Sequence, residues 1–448
     1  MRHTILRRIF ALSVAMLTLS GMGMTTITAD FTAAPAMAAS VTGQNYRYTV
    51  NTDNTLTITR YTGSESTANI PRIIDGKLVT AIGDSAFNGC TRLQSIVIPS
   101  GVRTISGNAF IGCSNLQSFA VNSSNRYYTA VSGVLFSKNQ TTLKAYPGGR
   151  SGAYTVPANV ILIDSYAFSE CNKLTAVTIS GSVKTIGFNA FAYCQGLKKA
   201  TLNSGITILK SGAFNGCKNL TAINLPNSIT TIDRNAFSGC RSLKSIAIPS
   251  KVTVLNFSLL EGCTSLSRVS IPNGITKVYS NVFDHCNALT SVTLPQSVKN
   301  IYGMAFCCCP NLTSVTIQSK TAQIDKIAFT NCPKVTIYGT KGSTAETAAK
   351  ANGVAFSTQK APVQNLSAVA VSGRNITVNA KATDGTAPYT YAVYYKKSDA
   401  NVWRTAQNYS ANSTIRFTVP QAGTYRVYVS IWDAEGRAAN KDTLISVR

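Results

Sequence analysis

The chain has 448 residues, of which 44% are hydrophobic and 13% are charged, and it contains 12 cysteines. This composition excludes an intrinsically disordered chain, and the length allows two or three domains. The formal net charge is +25, which favours anionic partners. Because no arginine-rich arm, helix-turn-helix pattern or zinc finger accompanies this charge, we do not expect nucleic acid to be the partner.

Residues 1–38 have the pattern of a secretory signal peptide. Arg2, Arg7 and Arg8 precede an apolar run from residue 9 to residue 24, and residues 36–38 read Ala-Met-Ala, a small-residue cleavage site. Cleavage removes Asp30 and the three arginines, which leaves a formal charge of +23. The C-terminal residues KDTLISVR form no apolar anchor. We therefore expect a secreted, extracellular protein, free or associated with the cell wall, with no transmembrane anchor after signal cleavage.

A period of 23 residues dominates the sequence that follows. Residues 213–235 read AFNGCKNLTAINLPNSITTIDRN, and residues 236–258 repeat the pattern as AFSGCRSLKSIAIPSKVTVLNFS. A fixed period of roughly 20–29 residues with Leu-x-x-Leu-x-Leu spacing predicts a leucine-rich-repeat solenoid with a parallel β-sheet on one face. Ten cysteines occupy the same place in this pattern: Cys90, Cys113, Cys171, Cys194, Cys217, Cys240, Cys263, Cys286, Cys309 and Cys332.

The repeat pattern also predicts the domain boundaries. We expect an N-terminal hairpin cap at residues 39–85 and the solenoid at residues 86–357, with a hairpin-like insertion around residues 127–157. Ser343 and Glu346 have the spacing of a capping box for a short helix that ends at Gly353 and caps the solenoid. Residues 358–362 are the predicted linker. Residues 363–448 contain short alternating strands separated by turn signals, which predicts an all-β sandwich.

The repeats and their flanks resemble a known family. The phrase AFNGCKNLTAINLP, the preceding segment ITRYTGSESTANIPRIIDGKLVTAIGDSAF and the following segment CPKVTIYGTKGSTAETAAKANGVAF are similar to the BspA-like leucine-rich-repeat family of bacterial surface proteins. The resemblance covers about residues 44–357 and implies an adhesin-like binding protein, secreted or surface-attached, that contacts proteins or glycans of a host, other cells or matrix. In the C-terminal region, AGTYRVYVSIWDAEG resembles a strand and turn of bacterial immunoglobulin-like or fibronectin-III-like modules.

The outward positions of the predicted strands define a candidate binding face. Alternate residues of a strand point to opposite sides, so one set faces the core and the other faces solvent. This face carries hydroxyl groups and two cationic points, which suits docking of an extended protein or glycan; alternatively, the small hydroxylated residues keep an exposed sheet soluble and tightly stacked. The candidate residues are Ser95, Thr178, Lys199, Thr201, Asn224, Ser245, Arg268, Ser270, Ser291, Thr293, Ser314 and Thr316.

A second surface feature is a basic strip, in which Arg103, Lys184 and Lys299 share one register and Lys277 lies one position along. It is either a solvated rim or a binding surface for polyanions. The strip supports an alternative function: a structural component of the cell wall or surface layer, held by anionic wall polymer, without a specific host ligand.

We expect the ten cysteines of the repeat to be reduced and structural. Stacked side chains in one register are parallel and ~5 Å apart, whereas a disulfide needs Cβ atoms that converge to about 3.8 Å. A buried thiol packs as a small hydrophobic group.

Four residues next to this register could carry chemistry. Cys307 and Cys308 follow Asp284 and His285 by one period, so these side chains should stack in neighbouring coils as a zinc site or a Cys-His dyad. However, the register of His285 and Cys308 holds glycine, glutamate, tyrosine and asparagine in other coils. The chain also shows no Gly-x-Ser-x-Gly or His-Glu-x-x-His motif. We therefore expect no enzyme, no cofactor and no metal, and we keep an enzyme or metal site at His285 and Cys308 as the remaining alternative.

Overall fold

The computed structural model describes residues 41–43, 45–358, 363–383, 388–433 and 438–448. The predicted signal peptide and nearly all of the predicted linker lie outside the described residues. Within the described ranges, no helix has both the length and the apolar character needed to cross a membrane.

Residues 67–357 form a solenoid of about 13 turns, in agreement with the predicted leucine-rich-repeat fold. Each turn contributes one short strand to the same face, which we call the main sheet. Neighbouring paired strands run parallel and are offset by one repeat, as where Lys199 pairs with Ala222. The strands are Thr67–Asn69, Ser95–Ile98, Ser118–Val121, Gly152–Thr155, Leu174–Ile179, Lys199–Leu202, Ala222–Asn224, Ser245–Ala247, Arg268–Ser270, Ser291–Leu294, Ser314–Ile317, Thr336–Tyr338 and Ala355–Ser357.

A proline turn leads each of several coils from the main sheet to a second column of parallel strands. Pro226 accepts a hydrogen bond from the N–H of Ile229 (3.1 Å), and Pro249 accepts one from Val252 (3.0 Å). Proline lacks the N–H that strand pairing needs, so it ends the strand at this point. The second column comprises Thr104–Ile105, Leu162–Ile163, Thr185–Ile186, Ile208–Leu209, Thr231–Ile232, Val254–Leu255, Lys277–Val278, Asn300–Ile301 and Gln323–Ile324.

Aromatic rings stack along the core of the solenoid. The ring centroids of Phe168, Phe191, Phe214 and Phe237 follow one another at 4.5, 5.0 and 5.8 Å. Leu260 interrupts the stack, which resumes from Phe283 to Phe306 and Phe329 at 5.0 and 5.2 Å. Each ring is buried by the coils on either side, so a single coil cannot form this core alone.

The N-terminal segment begins as an antiparallel hairpin and then joins the solenoid. Leu56–Tyr61 pairs in parallel with Lys77–Ile82. Thr67–Asn69 is already a main-sheet strand, ahead of the predicted boundary at residue 86, because its coil lacks the Ala-Phe and cysteine signals that mark later coils. The remaining strands here are Val41–Gly43, Tyr46–Val50 and Ile73–Ile74.

The insertion is a hairpin followed by a strand that rejoins the second column. Tyr128–Val131 and Val134–Ser137 pair antiparallel through a tight turn at Ser132 and Gly133, both at positive φ (47° and 75°). Thr142–Ala145 then pairs in parallel with Leu162–Ile163.

The helix Thr344–Ala351 closes the solenoid after the last main-sheet turns. Gly353 has φ +66°, and the N–H of Val354 donates to Ala349 O (3.0 Å), so the helix ends in a Schellman motif as the glycine predicts. The predicted capping-box hydrogen bonds are wrong. Ser343 Oγ is buried and makes no capping bond, and Glu346 accepts from the N–H of Gly342 (2.7 Å), since the N–H of Ser343 already donates to Thr340 O (3.1 Å).

The C-terminal region contains two antiparallel sheets. One comprises Val363–Ser372, Asn375–Thr383 and Thr414–Thr418, and the other comprises Thr390–Lys397, Arg404–Ser410, Gly423–Trp432 and Ala438–Val447. Buried side chains from both sheets, such as Val378 and Val427, belong to one hydrophobic cluster.

Candidate functional site

Every residue of the predicted binding face lies on a main-sheet strand, and none of them is buried. Their chain neighbours alternate with them as the strand period requires: Ala200 and Ile246 are buried between exposed positions. Register pairing places Thr178 opposite Thr201, and Ser245 opposite Arg268. The candidates from Thr178 to Thr316 therefore follow one another along successive coils, whereas Ser95 lies on a separate sheet on the other side of the insertion.

Most hydroxyl groups on this face are exposed or half-exposed and have no hydrogen-bond partner among the described residues. Within the described ranges, no intramolecular side-chain hydrogen bond is made by Thr178, Thr201, Ser245, Ser270, Ser291, Thr293, Ser314 or Thr316. A hydroxyl group has one donor and two acceptor sites, so this row offers many unused hydrogen-bond positions. Lys199 and Arg268 are exposed beside it and form no ion pair among the described residues.

Asn224 and Ser95 differ from the other candidates because their side chains are occupied; Ser95 Oγ accepts a hydrogen bond from Ser118 Oγ (3.5 Å). At Asn224 the bonds are made to the backbone. Its Oδ1 accepts a hydrogen bond from the N–H of Leu202 (2.9 Å), and its Nδ2 donates to Leu202 O (2.7 Å). The amide therefore links two coils and has little capacity left for a ligand, so the structural interpretation applies at this position.

A separate set of hydroxyl groups, which the sequence pattern did not reveal, ties the coils together. Thr221, Ser267 and Thr313 lie just before their strands and donate to carbonyl groups of the preceding coil at 3.0–3.2 Å. The sequence signal for this role is a serine or threonine that recurs at the residue before the strand. These side chains link neighbouring coils from outside the binding face, where only Asn224 and Ser95 form such links among the described candidates.

The binding face contains an open hollow of about 300 Å³ near its C-terminal half. Ser270, Ser291 and Thr293 line it together with Asn273 and Gln318. The hollow is open and polar, which suits recognition of an exposed polar group better than enclosure of a small apolar ligand.

Three aromatic residues outside the binding face form a stacked column that the sequence analysis missed. The rings of Phe257, Tyr279 and Tyr302 have centroids 4.5 and 4.9 Å apart, and Phe257 is 47% exposed. Phe257 lies one position off the register of the two tyrosines, which is why the 23-residue period did not reveal the column. Tyr279 is stacked between the other two rings, so both of its faces are covered.

All twelve cysteines are free, and those of the repeat form a ladder through the core. From Cys113 onward, each Sγ of the ladder donates to a carbonyl oxygen of the preceding coil, as Cys217 does to Phe191 O (3.0 Å) and Cys240 does to Phe214 O (3.2 Å). Burial raises the pKa of Cys113 and of Cys263 to about 12, so these thiols keep their protons at neutral pH.

Three of the four residues next to the ladder, Asp284, Cys307 and Cys308, lie close together, and His285 is outside this group. Oxygen of Asp284 and the Sγ atoms of Cys307 and Cys308 all lie within 4.8 Å of one another. His285 Nδ1 lies 2.7 Å from Asp284 Oδ1, but the imidazole ring itself is largely exposed. Burial, followed by the hydrogen bond from Cys308 and the charge of Asp284, raises the pKa of Cys307 to about 12.

The basic strip lies on the surface: Arg103, Lys184 and Lys299 are exposed, and Lys277 is half-buried. Within the part of the chain that the structure describes, only four ion pairs occur: Lys144 with Asp164, His285 with Asp284, Lys397 with Asp399, and Arg426 with Asp442. Most of the positive charge is therefore not neutralised within the molecule.

A solenoid of 23-residue coils with Leu-x-x-Leu-x-Leu spacing and one parallel strand per coil is the architecture of a leucine-rich-repeat protein. The family model described as "BspA type Leucine rich repeat region (6 copies)" matches residues 49–142, 152–266 and 209–336, which is more than half of the chain. The chain therefore belongs to the BspA-type leucine-rich-repeat family. Among curated proteins, none is similar enough to count as a match.

Several solved structures are similar to the chain. A leucine-rich repeat protein from Eubacterium ventriosum is 22% identical, with a TM-score of 0.49, over 59% of this chain and 92% of that protein. A leucine rich cell surface protein from Faecalibacterium prausnitzii is 24% identical, with a TM-score of 0.38, over 70% and 98%. The pneumococcal vaccine antigen PcpA is 18% identical, with a TM-score of 0.36, over 72% and 99%.

Proposed function

We propose that the protein is a secreted or surface-held binding protein, rather than an enzyme, that contacts an extracellular protein or glycan through its binding face. The proposal rests on the row of hydroxyl groups without a hydrogen-bond partner among the described residues, within which Lys199 and Arg268 supply positive charge. Other serine and threonine residues already link the coils, and among the described hydroxyl groups of the face only that of Ser95 forms a bond of this kind. The chain's family, and the surface location named for the Faecalibacterium protein, support export.

The C-terminal region has a supporting role in this proposal. We propose that its two antiparallel sheets form a β-sandwich similar to immunoglobulin-like or fibronectin-III-like modules and serve as a spacer or attachment module. The shared hydrophobic cluster supports packing of one sheet on the other.

A second candidate function rests on charge. The basic strip and the scarcity of ion pairs favour a wall or surface-layer component held by anionic polymer. Attachment of this kind is weakened by salt, because the Debye length falls from about 10 Å at 0.1 M to roughly 3 Å at 1 M.

Binding of the purified full chain to a panel of extracellular matrix proteins and to isolated cell walls, from ~50 mM to ~500 mM salt, distinguishes the two functions. The first predicts saturable binding to one matrix protein that persists at high salt. The second predicts binding to walls alone, lost at high salt. Binding to neither partner contradicts both.

Paired variants locate the surface used. Lys199→Ala with Arg268→Ala changes the binding face, and Lys184→Ala with Lys299→Ala removes the same charge from the basic strip. If the first function is correct, the first pair weakens matrix binding by about tenfold or more, as expected for central interface residues, and the second pair does not. Equal effects of the two pairs contradict a specific binding face.

A further inference from the structure

Three successive coils bring unusual side chains together near the C-terminal end of the solenoid. His285, Cys308 and Asn331 share one register and have positive φ angles of 56°, 55° and 58°. Glycine occupies this register in several other coils, because the left-handed conformation suits a residue without a Cβ atom. The N–H of His285 donates to Cys307 O (3.0 Å), so the turns stack directly on one another.

The donor atoms in these turns have the spacing of a metal site. The Sγ atoms of Cys307 and Cys308 are 3.2 Å apart, and an Asp284 carboxylate oxygen lies within 4.8 Å of both. Two thiolates on a tetrahedral zinc ion, each with a Zn–S bond of about 2.3 Å, are roughly 3.8 Å apart. For the two sulfur atoms, their separation would have to grow by roughly 0.6 Å to reach that geometry.

The acidic group of this cluster has only the largely exposed His285 as an ion-pair partner among the described residues. The Asp284 side chain is 9% exposed, and within the described residues its Oδ1 accepts no hydrogen bond, although His285 Nδ1 lies 2.7 Å away. No lysine or arginine forms an ion pair with it among the described residues. A buried carboxylate is costly unless it is paired or coordinates a metal, so the site is suited to a cation.

We propose that Asp284, Cys307 and Cys308 bind one zinc ion or a similar thiophilic divalent ion, with His285 or a water molecule as the fourth ligand. Two sulfur donors favour zinc over calcium or magnesium, which prefer oxygen donors. Asn331 Nδ2 donates to Cys308 Sγ (3.5 Å) and orients this ligand from the next coil. The ion would tie adjacent coils together, independently of any ligand on the binding face.

Metal titration of the reduced full chain tests the site. We expect one zinc ion per chain after removal of excess metal, and cobalt in its place should give thiolate-to-metal charge-transfer absorption. Zinc should also protect Cys308, the half-exposed thiol of the pair, from alkylation. A chain that retains no zinc, or a Cys307–Cys308 disulfide that persists under reducing conditions, overturns the proposal.

Variants assign the ligands. Cys308→Ser and Cys307→Ser should each weaken zinc affinity by at least ~100-fold, since even changes outside the first ligands cost about 10–100-fold. Asp284→Asn should weaken it by at least ~10-fold. Cys90→Ser, at a half-exposed ladder cysteine far from the cluster in sequence, is the matched control and should bind like the unmodified chain. Unchanged zinc affinity in both cysteine variants contradicts the assignment of the ligands. If a variant folds poorly, the zinc stoichiometry of the unmodified chain still shows whether the site exists.

Discussion

At the scale of single residues, the cysteine ladder shows why this side chain recurs in ten of the coils. The carbonyl oxygen of Phe214 accepts from the N–H of Cys217 in its own coil (3.3 Å) and from Cys240 Sγ in the next coil (3.2 Å). A buried carbonyl oxygen has two lone pairs, and the thiol occupies the second without adding a strongly polar group to the core. Cysteine therefore combines the volume of a small apolar residue with a weak hydrogen-bond donor.

Replacement of one ladder cysteine tests this role. We expect Cys217→Ala to lower the free energy of unfolding by about 1–2 kcal/mol, since it removes a buried sulfur atom and a hydrogen bond. Cys90→Ala, where the thiol is only half-buried, should cost less than about 0.5 kcal/mol. Urea unfolding of the two variants measures the difference, and equal losses would show that the ladder position is not special.

At the scale of the coil, periodicity made most of the solenoid predictable. The 23-residue spacing determines which strands pair, and the alternation within Lys199–Leu202 determines which side chains face solvent. The first main-sheet strand, Thr67–Asn69, was missed because the aromatic and cysteine signals are absent from its coil.

Hydrogen-bond partners were beyond the reach of the sequence. Asn224 has the sequence position of a ligand-binding residue, but its amide is used by Leu202 of the preceding coil. Ser343 and Glu346 have capping-box spacing, but a backbone contact to Thr340 displaces the expected bond. In both cases the partner is chosen by three-dimensional proximity, which a pattern of residue types does not specify.

The interruption of the phenylalanine stack leads to a prediction about one coil. Leu259 and Leu260 are both fully buried. They stand where the preceding coil has Ala236-Phe237 and the following coil has Val282-Phe283, so two medium side chains replace a smaller one and a larger one. Leu260→Phe alone should destabilise the fold by about 1–3 kcal/mol through overpacking, and Leu259→Ala alone by roughly 2–5 kcal/mol through a cavity.

The double variant should recover most of this loss. With the smaller residue at 259, a ring at 260 can stack between Phe237 and Phe283, and aromatic pairs contribute about 0.5–1.5 kcal/mol beyond their buried area. A double-mutant cycle from urea unfolding measures the coupling of the two sites. Additive losses would show that the two positions do not share one packing space.

At the scale of the whole molecule, the solenoid has uncharged groups in its interior and charged groups on its surface. Its interior holds neutral thiols and rings, and its surface holds an excess of positive charge with few ion pairs. Because each coil contacts only its neighbours, outward residues can vary without disturbing the core, and this independence suits a surface devoted to binding.

The buried thiols also make the molecule less stable at alkaline pH. In the folded chain, burial raises the pKa of Cys113 and Cys263 to about 12, whereas an unfolded thiol loses its proton near pH 8.5, approximately. Above that lower pKa the unfolded state binds fewer protons than the folded state, so the free energy of unfolding falls as pH rises towards 12. Below it, both states are protonated and the full stabilisation is present.

We therefore expect the midpoint of unfolding to be insensitive to these thiols from pH 6 to pH 8, approximately, and to fall steeply above about pH 9. Each thiol contributes about 1.4 kcal/mol per pH unit in the window between its two pKa values. A variant with Cys113→Ala and Cys263→Ala should be less stable at neutral pH but should lose stability about 2–3 kcal/mol per pH unit more slowly between pH 9 and pH 11. Urea unfolding at a series of pH values measures both slopes, and parallel curves for the two proteins would mean that these thiols ionise while the chain is still folded.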